Sequence, residues 1–191
     1  SFDDVVNKAK NPPSVAKAEA QWLIASSFES RSAKAQQANG VYHVLWADFD
    51  NHPVPMDKLA RSLQTGLLSG FEFLLYTSKS ATADIQKSRL VIPLKKAANW
   101  SDWWVYQQVL NDELDAMGAK SDRVSERAAQ LCYLPNEGQF YAFAHDKGKR
   151  IDPGLKFAKA IEVKELKYNE AQKAILLKLE ESKKKRARRL T

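Results

Sequence analysis

From Val41 to Asp50 the chain reads Val-Tyr-His-Val-Leu-Trp-Ala-Asp-Phe-Asp, an apolar and aromatic run that closes on two carboxylates. Such residues favour extended chain, and the pattern predicts a buried strand. Asn51-His52-Pro53 stops it, because the residue before proline is pushed out of helix and proline cannot continue a ladder. Side chains alternate across a strand, so Asp48 and Asp50 point to one face with Cα atoms about 6–7 Å apart. Upstream, Val15 to about Ser30 reads as a helix because of Ala16, Ala18, Ala20, Trp22, Leu23 and Ile24, with Ser14 as its cap. A mobile arm precedes it, and a polar stretch from Arg31 to Gly40 follows.

Downstream, Met56 to Ser69 predicts a second helix, with Met56, Leu59, Ala60, Leu63 and Leu67 on one face and Gly70 as its stop. Phe71 to Tyr76 and Arg89 to Leu94 read as strands, separated by a polar loop from Thr77 to Lys87. Asn99 to Met117 is the longest amphipathic stretch, capped by Ser101, striped by Trp104, Val105, Gln108, Val109 and Leu114, and ended by Gly118. Within it, Trp100, Trp103 and Trp104 read as packing against the sheet, with Trp103 as the exposed member. Two more apolar runs follow, Ala128 to Pro135 and Phe140 to Ala144. Lys147-Gly148-Lys149 reads as a hairpin tip before Ile151. From Tyr168 the chain is helical, with an apolar stripe at Ala171, Ile175, Leu176 and Leu179, and then strongly basic. Strands interleaved with helices imply an α+β (α/β) domain, a mixed sheet with flanking helices.

Composition narrows the function classes. The 191 residues suffice for one domain with a real core. The net charge is +7, of which Lys183, Lys184, Lys185, Arg186, Arg188 and Arg189 supply six, leaving the body near +1. Basicity is therefore a property of the tail, where it fits phosphate contacts with nucleic acid or a solvated linker helix equally. A single cysteine, Cys132, permits no internal disulfide and no cysteine-cluster zinc site, which points to a reducing, cytoplasmic setting. No apolar run is long enough for a membrane span, and the first residues lack a secretory signal pattern. A start at Ser1 without Met reads as an excised fragment or a tag remnant.

The chemistry concentrates at carboxylates and at one loop. Asp48 and Asp50 can hold a divalent cation, and Asp122, in a short link after the long helix, is the candidate third ligand, with a solvated loop residue as its alternative reading. Two-metal sites cradle the attacking and leaving oxygens of phosphoryl transfer, and Mg²⁺ completes its shell with substrate phosphates. Ser78, Lys79 and Ser80 with Arg89 supply hydroxyls, an ammonium and a guanidinium suited to a triphosphate. A solvated loop and a surface arginine remain the alternative. No GxxxxGKS or GxGxxG loop is present, no nucleophile elbow appears, Cys132 reads as core, and His43 reads as a satisfied core histidine.

The order of these stretches resembles the archaeo-eukaryotic primase superfamily. The resemblance runs from about Val41 to Tyr141 and is carried by Asp48-Phe49-Asp50, Leu75-Tyr76-Thr77-Ser78-Lys79-Ser80, Ser88-Arg89-Leu90-Val91-Ile92-Pro93-Leu94, Asp122 and Gln130-Leu131-Cys132-Tyr133-Leu134-Pro135-Asn136. It is nearest to the primase–polymerase domains of replication proteins from plasmids, phages and other mobile elements. The resemblance implies an RRM-like sheet and Mg²⁺ or Mn²⁺ held by Asp48, Asp50 and Asp122. It also implies primer synthesis or extension from nucleoside triphosphates on a single-stranded DNA template, with a helicase domain or subunit as a possible neighbour. Arg89 departs from the pattern, standing where the second motif usually carries a histidine, so either the triphosphate role passes to Arg89 or nucleotide binding is altered. The resulting division is an N-terminal arm and helix at 1–40, a catalytic core at 41–165, and a basic helix or linker at 166–191. Two rivals share the scaffold: a non-catalytic replication-initiator module that binds DNA, and a metal-dependent nuclease.

Overall fold

The computed structural model describes residues 1–51 and 53–188, with the side chains of the last helix described as far as Leu179, Gln172 excepted. The expected stop at His52 lies outside these residues, as do Arg189 and the side chains of Lys183, Lys184, Lys185, Arg186 and Arg188.

A four-stranded sheet forms the centre: β2 (Tyr42–Phe49), β4 (Ser88–Ala98), β3 (Phe73–Thr77) and β6 (Phe143–Asp146), in the order β2-β4-β3-β6. The ladders are antiparallel, and two isolated parallel bridges, Phe71–Lys149 and Leu94–Ile151, supply the mixed character. These bridges replace the expected hairpin at Lys147-Gly148-Lys149: Gly148 lies against the backbone of Gly70 and Phe71, where a Cβ would clash. A two-stranded ribbon of β1 (Trp22–Leu23) and β5 (Cys132–Tyr133) stands apart from the sheet.

The expected strand at 41–50 forms as β2, and it lies at one edge of the sheet. Its outer backbone groups from Val44 to Asp48 are paired by α4 (Trp100–Ala116) and its successor loop, and those around Tyr42 by residues 25–27. Trp103 Nε1 donates to the Val44 carbonyl at 2.8 Å, Gln107 Nε2 donates to the Trp46 carbonyl at 2.7 Å, and Gln107 Oε1 accepts from the Trp46 N–H at 3.1 Å. Gln107 thus acts as a piece of strand, which satisfies an edge that would otherwise be left open. Trp103 is 1% exposed and stacks on Tyr42, contrary to its expected exposure, because its indole N–H is needed at this edge. Asn99, rather than Ser101, caps α4 by accepting from the Asp102 N–H. Gly118, at φ 83°, follows it in the left-handed region that favours glycine.

The second expected helix divides into α3 (Met56–Ser62) and a π-turn, Leu63–Leu67, kinked at Gly66. The N-terminal forty residues differ most from expectation. The arm is a helix, α1 (Phe2–Lys10), closed by a Ser1–Asp4 capping box, and it buries Phe2, Val5, Val6 and Ala9, an i, i+3, i+4, i+7 stripe. The expected helix at Val15 to Ser30 is instead a hydrogen-bonded turn at Ala16 to Ala20 followed by non-helical chain around β1, and the polar stretch holds a helix, α2 (Ala33–Asn39). Tertiary hydrogen bonds outweigh the alanines' preference here: Asn136 bonds both the N–H and the carbonyl of Val15, Leu134 N–H donates to Gln21, and His43 N–H donates to Ala25. His43 itself is exposed and meets Ser27, so it is no core histidine. Two further helices close the chain, α5 (Pro153–Lys156) and α6 (Ala158–Arg188); α6 begins ten residues before Tyr168 and is held to α4 by Lys164–Asp112 and a Trp104–Tyr168 edge contact. Among the described residues no helix is long and apolar enough to cross a membrane.

Candidate functional site

The antiparallel register decides which side chains meet. Asp48 on β2 stands opposite Arg89 on β4, and Arg89 stands opposite Tyr76 on β3. Two residues further along each strand the same face carries Asp50, Lys87 and Ser78: Lys87 Nζ lies 4.0 Å from Asp50, and the Ser78 N–H donates to the Lys87 carbonyl at 2.8 Å. One end of the sheet therefore presents two parallel rows, each pairing a carboxylate with a cation.

Asp48 and Arg89 are 13% exposed each, and both Arg89 Nε and a terminal guanidinium nitrogen donate to Asp48 Oδ2 at 3.3 Å. The other oxygen, Oδ1, is buried without a hydrogen-bond partner among the described residues. Burial holds the Asp48 carboxyl above the usual carboxylate range, Arg89 opposes the rise, and the charges of Asp50 and Asp122 add to it. Burial works against the Arg89 charge, but Asp48, Tyr76, Cys132 and Asp50 outweigh it, and the guanidinium stays protonated.

Asp122 reaches this site through its backbone. Its N–H donates to the Asp48 carbonyl at 2.8 Å, while its carboxylate accepts from the Val124 N–H and caps the 3₁₀ turn Arg123–Glu126. The structure thus brings together Asp48, Asp50, Arg89 and Ser78, with Ser80 joined to Ser78 by a 3.2 Å hydroxyl contact, and sets Asp122 at the rim. Lys79 turns elsewhere: its amine donates to the Glu137 carbonyl at 2.6 Å and to Ser14 Oγ at 3.1 Å, and Gly138 packs directly on its backbone.

Among the described residues no three His, Cys, Asp or Glu side chains gather as a metal-binding group. Asp48 and Asp50 suit a cation in a more limited way. A buried carboxylate oxygen with no partner among the described residues is a donor atom suited to a positive charge, and a second carboxylate lies two residues on along the chain. Such a pair suits Mg²⁺ or Mn²⁺ whose remaining ligands are waters and phosphate oxygens.

Sequence reasoning gave no site role to Lys87, Tyr133 or Tyr76, the two tyrosines entering only within the motifs that carry the resemblance. Lys87 precedes Arg89 by two residues, the spacing that shares a strand face, and that signal was available. Tyr133 is legible only in three dimensions: Arg89 lies 5.9 Å from its ring centroid. The Tyr76 hydroxyl donates to the Tyr133 carbonyl at 2.7 Å and lies 3.6 Å from Cys132 Sγ, fastening β5 across the sheet. Burial pushes the Cys132 thiol up to about 11, consistent with a packing role rather than a nucleophile's. A groove of ≈ 1260 Å³ between α4 and α6, bordered by Trp104, Gln108 and Val163, contains none of these residues.

No protein-family model and no curated protein sequence matches the chain. Among solved structures, it resembles the AEP domain of the primase-polymerase (PrimPol) of cyanophage S-2L, with a TM-score of 0.51 at 11% sequence identity, over 83% of this chain and 76% of that one. The likeness is one of fold: this chain shares the α+β architecture of that AEP domain.

Proposed function

We propose that this domain is a template-dependent primase–polymerase, joining nucleotides from triphosphates onto a primer end or a first nucleotide. The observation that carries the reading is the pair of carboxylate–cation rows, Asp48–Arg89 and Asp50–Lys87, at one end of a primase-type sheet. Asp48 and Asp50 would hold the divalent cation, which would polarise the α-phosphate and stabilise charge on the attacking and leaving oxygens. Arg89 and Lys87 neutralise phosphate charge, and Ser78 and Ser80 offer hydroxyl donors. Asp122 holds the Asp48 backbone in place and adds negative potential at the rim. Lys79 shapes the loop through Glu137 and Ser14. Catalysis on this plan is mostly positioning and charge stabilisation by groups fixed before substrate arrives. Likeness to a cyanophage protein supports a place in the replication of a phage, plasmid or other mobile element.

The test is labelled-nucleotide incorporation on a single-stranded DNA template with Mn²⁺ or Mg²⁺. Asp48→Ala and Asp50→Ala should each lower incorporation by about a hundredfold or more while circular dichroism stays that of wild type. Undiminished incorporation in both variants would remove the assignment. A second reading, a DNA-binding initiator module without catalysis, draws on the Asp48–Arg89 ion pair, which already gives that carboxylate an internal counter-charge. It requires DNA binding that is indifferent to metal, and no incorporation by the wild type.

A further inference from the structure

The ribbon of β1 and β5 carries a surface that the reaction plan leaves unused. Trp22 and Tyr133 are direct cross-strand partners, so their side chains share a face. Trp22 is 41% exposed although it stands in a hydrogen-bonded strand, and Tyr133 is half-buried. Cations surround both rings. Arg31 lies 5.4 Å from the Trp22 ring centroid, and Lys17 and Arg89 lie 5.3 and 5.9 Å from that of Tyr133. Arg89 is also the partner of Asp48, so the aromatic face begins where the candidate site ends. The backbone beneath is fixed: Tyr76 bonds the Tyr133 carbonyl, and the Leu134 N–H bonds Gln21.

We propose that Trp22 and Tyr133 form a stacking platform for single-stranded DNA, which leads the template to Asp48 and Asp50; the inference rests on the polymerase reading for the destination of that strand. Every base offers a π-face, so aromatic platforms hold single strands with little sequence preference, and flanking cations take the phosphates. Duplex DNA keeps its bases stacked inside and cannot use such rings. Arg31 and Lys17 pass from the ring faces to the phosphate backbone as bases take their place, while Arg89 stays with the site. The tertiary arrangement is essential, because Trp22 and Tyr133 are 111 positions apart in the chain.

Fluorescence anisotropy of a fluorescein-labelled oligodeoxythymidine, measured across a salt series, tests the platform. Trp22→Ala should weaken binding about tenfold without changing the salt slope, and Trp22→Phe should recover most of the loss. The double variant Lys17→Ala/Arg31→Ala should instead flatten the slope of log K against log salt by about 1.4, roughly 0.7 for each phosphate no longer neutralised. Unlabelled duplex of equal length should compete poorly. Unchanged affinity in Trp22→Ala, or equal competition by duplex, overturns the platform. Nucleotide incorporation by the same preparations separates the two ideas. An active wild type with Trp22-independent binding sinks the platform and leaves the polymerase. Trp22-dependent binding by an inactive wild type keeps the platform and sinks the polymerase.

Discussion

At Asp48 one carboxylate oxygen meets Arg89 and the other has no hydrogen-bond partner among the described residues, in a position almost closed to water. Removing the arginine would leave a charge that burial already disfavours. Arg89→Leu should therefore destabilise the fold by ~3 kcal/mol at neutral pH, the low end for breaking a buried pair. The dependence on pH has a definite sign. The folded-state value of Asp48 stands above its unfolded value of 3.8. Its favourable contribution is thus full below 3.8 and is lost as pH rises through the folded-state value. Without Arg89 that value climbs further, so the variant's deficit should shrink in mildly acidic buffer. Urea unfolding at neutral and mildly acidic pH measures this, and an equal deficit at both would contradict it. At this scale the sequence was partly legible. Asp48 and Asp50 announced themselves by ending an apolar strand. Lys79, equally plausible as a phosphate ligand, is engaged by Glu137 and Ser14, which lie 58 and 65 residues away.

Helix α4 shows how an element can be recognised correctly and its face read only in part. The apolar stripe predicted from the chain runs through Trp104, Val105, Gln108, Val109 and Leu114; the helix does bury Val109 and Leu114, but the rest of its buried face is Trp103, Gln107, Leu110 and Asn111. Gln107 is polar because the surface it covers is the hydrogen-bonding edge of β2, where an apolar side chain would strand backbone groups, and Asn111 is polar because it bonds Ser121, Ser125 and Glu126 in the segment after the helix. Asn111 and Gln107 also join Ser125 and Ser121 in a buried network. Gln107→Leu should cost about 2 kcal/mol, seen as a lower denaturation midpoint with an unchanged m-value. A neutral substitution would show that water repairs the edge. Since α4 also sets the link that carries Asp122, the same variant should reduce incorporation more than its stability loss explains.

Across the whole molecule, stability and the proposed metal chemistry are separable. The core is a continuous cluster from Phe2 to Phe157 built on Trp46, Tyr42, Tyr76 and the sheet aliphatics, and it includes neither Asp48 nor Asp50. Chelation should leave the melting temperature of the protein unchanged while abolishing incorporation. Mn²⁺ together with a nucleoside triphosphate should raise the melting temperature of the wild type, as any ligand of the folded state does, and should fail to raise that of Asp48→Ala. A large loss of stability on chelation would mean a structural metal instead. The α+β class, the strands at β2, β3 and β4, the helix from Asn99, and the two carboxylates were all readable along the chain. They rest on alternation, turn-forming glycines such as Gly70 and Gly118, and other forces acting within a few residues. The non-helical course of residues 15–30, the edge position of β2, the alignment of Asp48 with Arg89 and Tyr76, and the meeting of Trp22 with Tyr133 needed the folded molecule. Each depends on pairing between distant segments, where hydrogen bonds and burial outweigh local preferences that favoured another answer.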